Sequence, residues 1–123
     1  MKNKNTAILI VDDNMNFADR MIEMIRDLDN VTYINVARDY EEGYRLFEQE
    51  RPDLVLLDIN LPGRNGIELL KTIKKSEWKS EVIMITNHAD DYYRQQCKEF
   101  GAEHFLDKTN DFGLVLGIIS KEA

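Results

Sequence analysis

The chain has 123 residues, 43% of them hydrophobic and 32% charged, and its 23 acidic and 16 basic side chains leave a net charge of −7. That length suits one domain spanning 1–123 with its own core, and the acidic balance excludes a phosphate backbone as the main partner, so no direct nucleic-acid binding is expected. The lone Cys97 excludes an internal disulfide framework, residues 1–6 are polar, and no apolar run is long enough for a signal core or a bilayer span, which predicts a cytoplasmic chain with no membrane partner.

Strands are predicted near 6–12, 31–36, 53–58, 81–86 and 103–106. The first contains Ala7-Ile8-Leu9-Ile10-Val11 and ends on Asp12 and Asp13; the third contains Leu54-Val55-Leu56-Leu57 and ends on Asp58. Apolar, β-branched runs of this kind read as buried parallel strands. Between the first two strands, Phe17, Met21, Met24, Ile25 and Leu28 recur at helical spacing, a core stripe rather than a methionine metal site. A second helix opens at Asp39, an N-cap with Glu42 set to reach back as a capping box, and Pro52 forbids its continuation.

After Asp58, Leu61-Pro62-Gly63-Arg64-Asn65-Gly66 is a turn, and Ile67, Leu70 and Ile73 form the buried stripe of a third helix. A fourth helix over about 90–99 has only Tyr93, Cys97 and Phe100 to bury and is expected to be the least firmly packed. The last helix is placed at about 110–121 despite Gly113 and Gly117, each costing roughly 1 kcal/mol relative to alanine. Strands alternating with helices predict a flavodoxin-like, doubly wound (βα)5 α/β fold, with a five-stranded parallel sheet in the order 2-1-3-4-5. In that order the first and third strands are neighbours, so Asp12, Asp13 and Asp58 converge on one crevice. Such a cluster of like charges calls for a cation or protons.

Carboxylate oxygens without a nearby thiolate or histidine favour Mg2+ over zinc. A carboxylate can also attack phosphorus to give an aspartyl phosphate, with a metal and a lysine offsetting the charge on the transferring group. Thr86 and Lys108, at the ends of the fourth and fifth strands, are placed to face such a group.

Val11-Asp12-Asp13, Leu56-Leu57-Asp58-Ile59-Asn60-Leu61-Pro62 with Gly66, Ile83-Met84-Ile85-Thr86, Gly101-Ala102 and Phe105-Leu106-Asp107-Lys108 together resemble the receiver domain of two-component response regulators, across essentially the whole chain. The resemblance implies Asp58 as phosphoacceptor, Asp12, Asp13 and Asp58 with the backbone carbonyl of Asn60 as the Mg2+ site, and Thr86 and Lys108 as phosphoryl contacts. It implies Phe105 as a switch aromatic following Thr86, and it marks Asn60 and His88 as the positions that tune phosphoryl lifetime. The implied donor is a sensor histidine kinase or a histidine phosphotransfer protein. Phosphorylation would change the surface around helix four, strand five and helix five, which acts on a downstream protein or on an output domain absent from this chain; a phosphorylation-dependent homodimer is a further expectation. Such a domain is not a conventional enzyme, though it supports its own phosphorylation and autodephosphorylation.

Two positions depart from the family. Thr109 stands where proline usually follows the lysine, which predicts a trans Lys108–Thr109 peptide, because a cis bond before a non-proline residue costs about 2.5–4 kcal/mol. Asn87 replaces a small residue, and its amide is placed to narrow access to Asp58 or to bond the phosphoryl group.

Taken singly, these residues have plainer roles. Asp12 and Asp13 suit helix caps, Thr86 an ordinary strand position, Lys108 a solvated loop, Phe105 simple packing, His88 an exposed loop and His104 a structural place. Asp111-Phe112-Gly113 matches a kinase triplet by chance, since the chain lacks the accompanying kinase motifs. A phosphatase of the haloacid dehalogenase type would need Asp-x-Asp after the first strand, where Asp12-Asp13-Asn14 stands. An FMN module would need a hydroxyl- and glycine-rich loop there.

Overall fold

The computed structural model describes residues 5–87 and 89–121. Its strands are β1 (Thr6–Val11), β2 (Val31–Ala37), β3 (Leu54–Leu57), β4 (Glu81–Thr86) and β5 (His104–Asp107). All pair in parallel, in the order β2-β1-β3-β4-β5. The burial of each run follows from that order. β3 is buried at every residue and β1 and β4 at all but one, whereas the edge strands β2 and β5 have one buried residue each.

The helices are α1 (Met15–Ile25), α2 (Tyr40–Glu50), α3 (Gly66–Lys75), α4 (Asp91–Glu99) and α5 (Leu114–Ser120). Alternation along the strands divides the core between the two faces. Leu9, Val11, Val55, Leu57 and Met84 pack beneath α2, α3 and α4, while Ile8, Ile10, Leu54, Leu56 and Ile83 pack beneath α1 and α5. Each fully buried Leu or Ile contributes roughly 1.5–3 kcal/mol.

Several local details differ from expectation. The N-cap of α1 is Asn14, whose side chain accepts from Phe17 N at 3.1 Å, so neither Asp12 nor Asp13 is spent on capping that helix. Asp39 caps α2 by accepting from Glu42 N at 2.8 Å, but Glu42 Oε1 reaches Arg38 N instead of the cap residue's own N–H. The last helix starts at Leu114 rather than near 110. The Asp107 carboxylate accepts from the N–H groups of Thr109 and Asn110, and Asp111 Oδ2 accepts from Asp107 N. These local bonds offer the backbone an alternative to helix. No cis peptide occurs among the described residues, so Lys108–Thr109 is trans. As expected, α4 is the loosest of the long helices: its one buried residue is Cys97, with Tyr93 and Phe100 partly covered.

Candidate functional site: an acidic crevice closed by Lys108

Register places the acids. Val11 pairs with Leu57, so β1 and β3 end level, and Asp58 N donates to Val11 O at 3.0 Å. The next residues, Asp12 and Asp58, leave the sheet side by side. One carboxylate oxygen from each of Asp12, Asp13 and Asp58 lies within 4.8 Å of the others. Asp12 and Asp58 are buried, at 1% and 5% exposure, and Asp13 is exposed.

The floor of the crevice depends on a glycine. A Cβ on Gly66 would lie 1.9 Å from Asp58 O, so the start of α3 approaches the Asp58 backbone more closely than any side chain allows. Gly66 N also donates to Ile59 O at 2.7 Å, fixing the turn after β3. The turn formers after Asp58 were legible in the sequence; this close approach was not.

Lys108 arrives from the end of β5. Its backbone N–H donates to Thr86 O at 3.0 Å, and Nζ lies 3.1 Å from Asp58 Oδ2 and 2.8 Å from Asp12 Oδ2. The ammonium also stands 4.5 Å from the Phe17 ring centroid. It hydrogen-bonds Asp58 and forms a close ion pair with the buried Asp12. Asp12 Oδ1 accepts from Asn14 N at 2.9 Å.

Burial pushes Asp12 above the ordinary aspartate range, and the Asp58 charge adds to the rise; Lys108 and the Asn14 N–H oppose it without cancelling it. For Lys108, burial pulls the ammonium down, but Asp12 and Asp58 more than offset this and leave it raised. One lysine thus contacts two of three clustered acids, Asp12 and Asp58, and burial raises the Asp12 carboxyl. Three convergent carboxylate oxygens fit Mg2+ by donor chemistry.

The other predicted site residues are arranged around this cluster. Thr86 is fully buried at the end of β4, in register with Asp107. Asn60 is exposed, and its N–H lies 3.4 Å from Asp58 Oδ1. Asn87 is exposed and, with Asn14, Phe17, Lys108 and Thr109, lines a 290 Å³ cavity beside the acids. Phe105 is half-buried in β5, packed against the cluster beneath α4. His88 lies outside the described residues. His104 is engaged structurally, 2.8 Å from Glu81 Oε2 across the β4–β5 edge. A larger hollow of 630 Å³ near Tyr44, Arg51 and Trp78 shares no residue with the acidic cluster. Sequence reasoning missed Asn14, whose cap leaves Asp13 available, and Arg94, which covers Phe105; a capping preference pointed to the first, and nothing local pointed to the second.

The family model described as the response regulator receiver domain matches residues 8–119. The chain belongs to that family. Protein CcdB of Bacillus subtilis (strain 168) is 32% identical over 94% of this chain and 96% of its own length. The DNA-binding transcriptional activator EvgA of Escherichia coli (strain K12) is 29% identical over 80% of this chain but only 50% of EvgA, so the chain spans about half of that relative. Among solved structures, a CheY-like response regulator receiver domain protein from Methanospirillum hungatei JF-1 superposes with a TM-score of 0.84 at 28% identity, covering 97% of this chain and 94% of that one. The signal receiver domain of the putative response regulator NarL from Mycobacterium tuberculosis shares the fold at a TM-score of 0.87 and 21% identity, over 96% and 95% of the two chains. Receiver domains are signalling modules of two-component systems rather than conventional enzymes, which sets aside the phosphatase and FMN alternatives. No helix among the described residues is long and apolar enough to cross a membrane.

Proposed function

We propose that this receiver domain accepts a phosphoryl group on Asp58 and transmits its presence to the surface formed by α4, β5 and α5. The observation that carries this is the Lys108 ammonium bridging Asp12 and Asp58 at the one place where β1 and β3 end level. The donor is phosphohistidine on a sensor histidine kinase or a histidine phosphotransfer protein. A carboxylate oxygen of Asp58 forms the new O–P bond as the N–P bond of the donor breaks, and the imidazole keeps the electron pair of the broken bond.

Asp12, Asp13 and Asp58, with the Asn60 carbonyl, would hold Mg2+, which when bound supplies positive charge against the phosphoryl oxygens. Lys108 supplies the second cation and, being hydrogen-bonded to Asp58, stands beside the transferring group from the outset. Thr86 offers its hydroxyl to a phosphoryl oxygen, and its movement lets Phe105 repack. Asn60 and His88 set how readily water reaches the acyl phosphate, so His88→Ala should change the pH dependence of its decay near neutrality. The module works in the cytoplasm, and its output passes to a downstream protein, to an output domain in a longer chain or to a second phosphorylated copy.

The test is intact-mass analysis after incubation with acetyl phosphate, with and without Mg2+, beside Asp58→Asn. One phosphoryl adduct that needs Mg2+ and is lost in the variant is expected. An adduct surviving in Asp58→Asn, or none on folded wild type with Mg2+ bound, would overturn the proposal.

A further inference from the structure

Phe105 does not face solvent bare. Arg94, an exposed residue one turn into α4, lays its guanidinium over the Phe105 ring with Cζ 4.9 Å from the centroid. The same side chain donates from Nη1 to the Phe105 carbonyl oxygen at 3.2 Å. The two contacts differ in kind. The hydrogen bond holds the guanidinium to the β5 backbone whatever the ring does, whereas the cation–π contact exists only while the ring lies beneath it. Arg94 therefore rewards one ring position.

The same contacts tie α4 to β5. Cys97 is the one buried residue of α4, and Asp90, its N-cap, accepts from Tyr93 N within the helix's own first turn. Little apolar burial holds the helix down, so an arginine anchored on β5 has a large share in setting where it sits. No carboxylate lies within ion-pair distance of Arg94 among the described residues, so its charge is directed at the ring and the carbonyl. Lys71 makes a comparable contact with Phe100, 4.4 Å from the centroid, but Phe100 closes α4 and lies outside β5.

We propose that Arg94 is a positioning residue, a latch that holds Phe105 and α4 in the arrangement seen here and so opposes the phosphorylated conformation until Asp58 is modified. This rests on the proposed role of Asp58 and on the switching of Phe105. A ligand that favours one of two states shifts the population only by its differential interaction with them, and the ring contact is such a difference. Removing it lowers the barrier to repacking without touching the acids.

The test uses the full chain with 19F-labelled phenylalanine, the Phe105 resonance being assigned from Phe105→Leu, and compares wild type, Arg94→Ala and Arg94→Lys. In unphosphorylated protein, R94A should shift the ring populations toward those of the phosphorylated form by about three- to fivefold, consistent with a surface cation–π contact. R94K keeps a cation but not the planar fork, and should fall between. The initial rate of adduct formation with acetyl phosphate should rise by a similar factor, with Mg2+ affinity unchanged. Identical ring populations in wild type and R94A would overturn the latch even where the Asp58 adduct forms normally. Absence of the adduct in wild type would instead count against the phosphoacceptor role, while the ring populations of the unphosphorylated variants would still decide whether Arg94 holds Phe105.

Discussion

α3 and α4 lie in the same layer, yet they are held very differently. α3 buries Gly66, Ile67, Leu69, Leu70 and Ile73 out of 10 residues, while α4 buries Cys97 out of nine. The acids stand on the firmly held side: Asp58 precedes α3 and its backbone lies against the first residue of that helix, and Asp12 directly follows the neighbouring strand β1. The aromatic expected to respond stands on the loose side, under an exposed arginine. Chemistry that depends on fixed oxygen positions gains from a well-packed half, and a response needs elements that open at low free energy. The difference between the two helices separates those requirements within one sheet.

The sharpest way to break this contrast is Gly66→Ala. The new Cβ meets the Asp58 carbonyl oxygen at 1.9 Å, a backbone atom that cannot step aside alone. Unfolding stability should fall by about 3 kcal/mol in denaturant titration. A loss below about 1 kcal/mol would show that α3 slides easily and is not the rigid partner described.

A smaller effect of opposite sign is expected at Asp12. Because its acid is raised in the fold, the native state holds a proton that the unfolded chain gives up near 3.8, so stability declines as pH climbs from that value through the raised one. Asp12→Asn should flatten that decline in Mg2+-free buffer and make the protein more stable there at neutral pH, while losing the gain that Mg2+ gives wild type. Thermal melts with and without Mg2+ check it, and a variant still stabilised fully by Mg2+ would remove Asp12 from the metal site. Lys108, raised in its turn, contributes stability that is lost only above about its ordinary 10.5, outside this range.

Equivalent caps on the two sides sharpen the contrast further. Asn14 caps α1 beside the acids and Asp90 caps α4, each accepting one N–H of the first turn. Asn14→Ala should lower global stability by about 1 kcal/mol. Asp90→Ala should leave the global value within about 0.5 kcal/mol and raise amide exchange in α4 alone, because a loose helix frays before the domain unfolds. Equal global losses would mean that α4 is not a separate unit.

The smallest effect concerns Cys97. Burial pushes its thiol from 9.0 up to about 11, so alkylation at neutral pH needs opening of α4. The labelling rate should track amide exchange in α4 and exceed exchange in β1 and β3. The same shift costs stability only as pH rises from 9.0 toward about 11, where the unfolded thiol ionises first. Labelling as slow as global unfolding would place α4 with the rigid half.

Most of the rigid half was legible in the sequence, and less of the loose one. Apolar runs ended by Asp12 and Asp58 marked two buried parallel strands, the alternation of strands and helices pointed to the doubly wound order, and the convergence of the acids followed from that order. The sparse apolar face of α4 was equally readable. The start of α5 was not, because Asp107 and Asp111 bond nearby backbone and delay the helix through side-chain choices that periodicity does not carry. Arg94 over Phe105 joins residues 11 positions apart across two elements, and only packing brings them together. The Gly66 approach was hidden for the same reason, since a glycine beside a proline turn reads first as a turn residue.

The most direct test of the separation between chemistry and response is hydrogen exchange measured on the Asp58 phosphoryl adduct and on unmodified protein in the same Mg2+ buffer. Changes confined to α4, β5 and the start of α5, with β1, β3 and α3 unmoved, are the expected result. Changes spread evenly over α3 and α4, or none in α4, would contradict it.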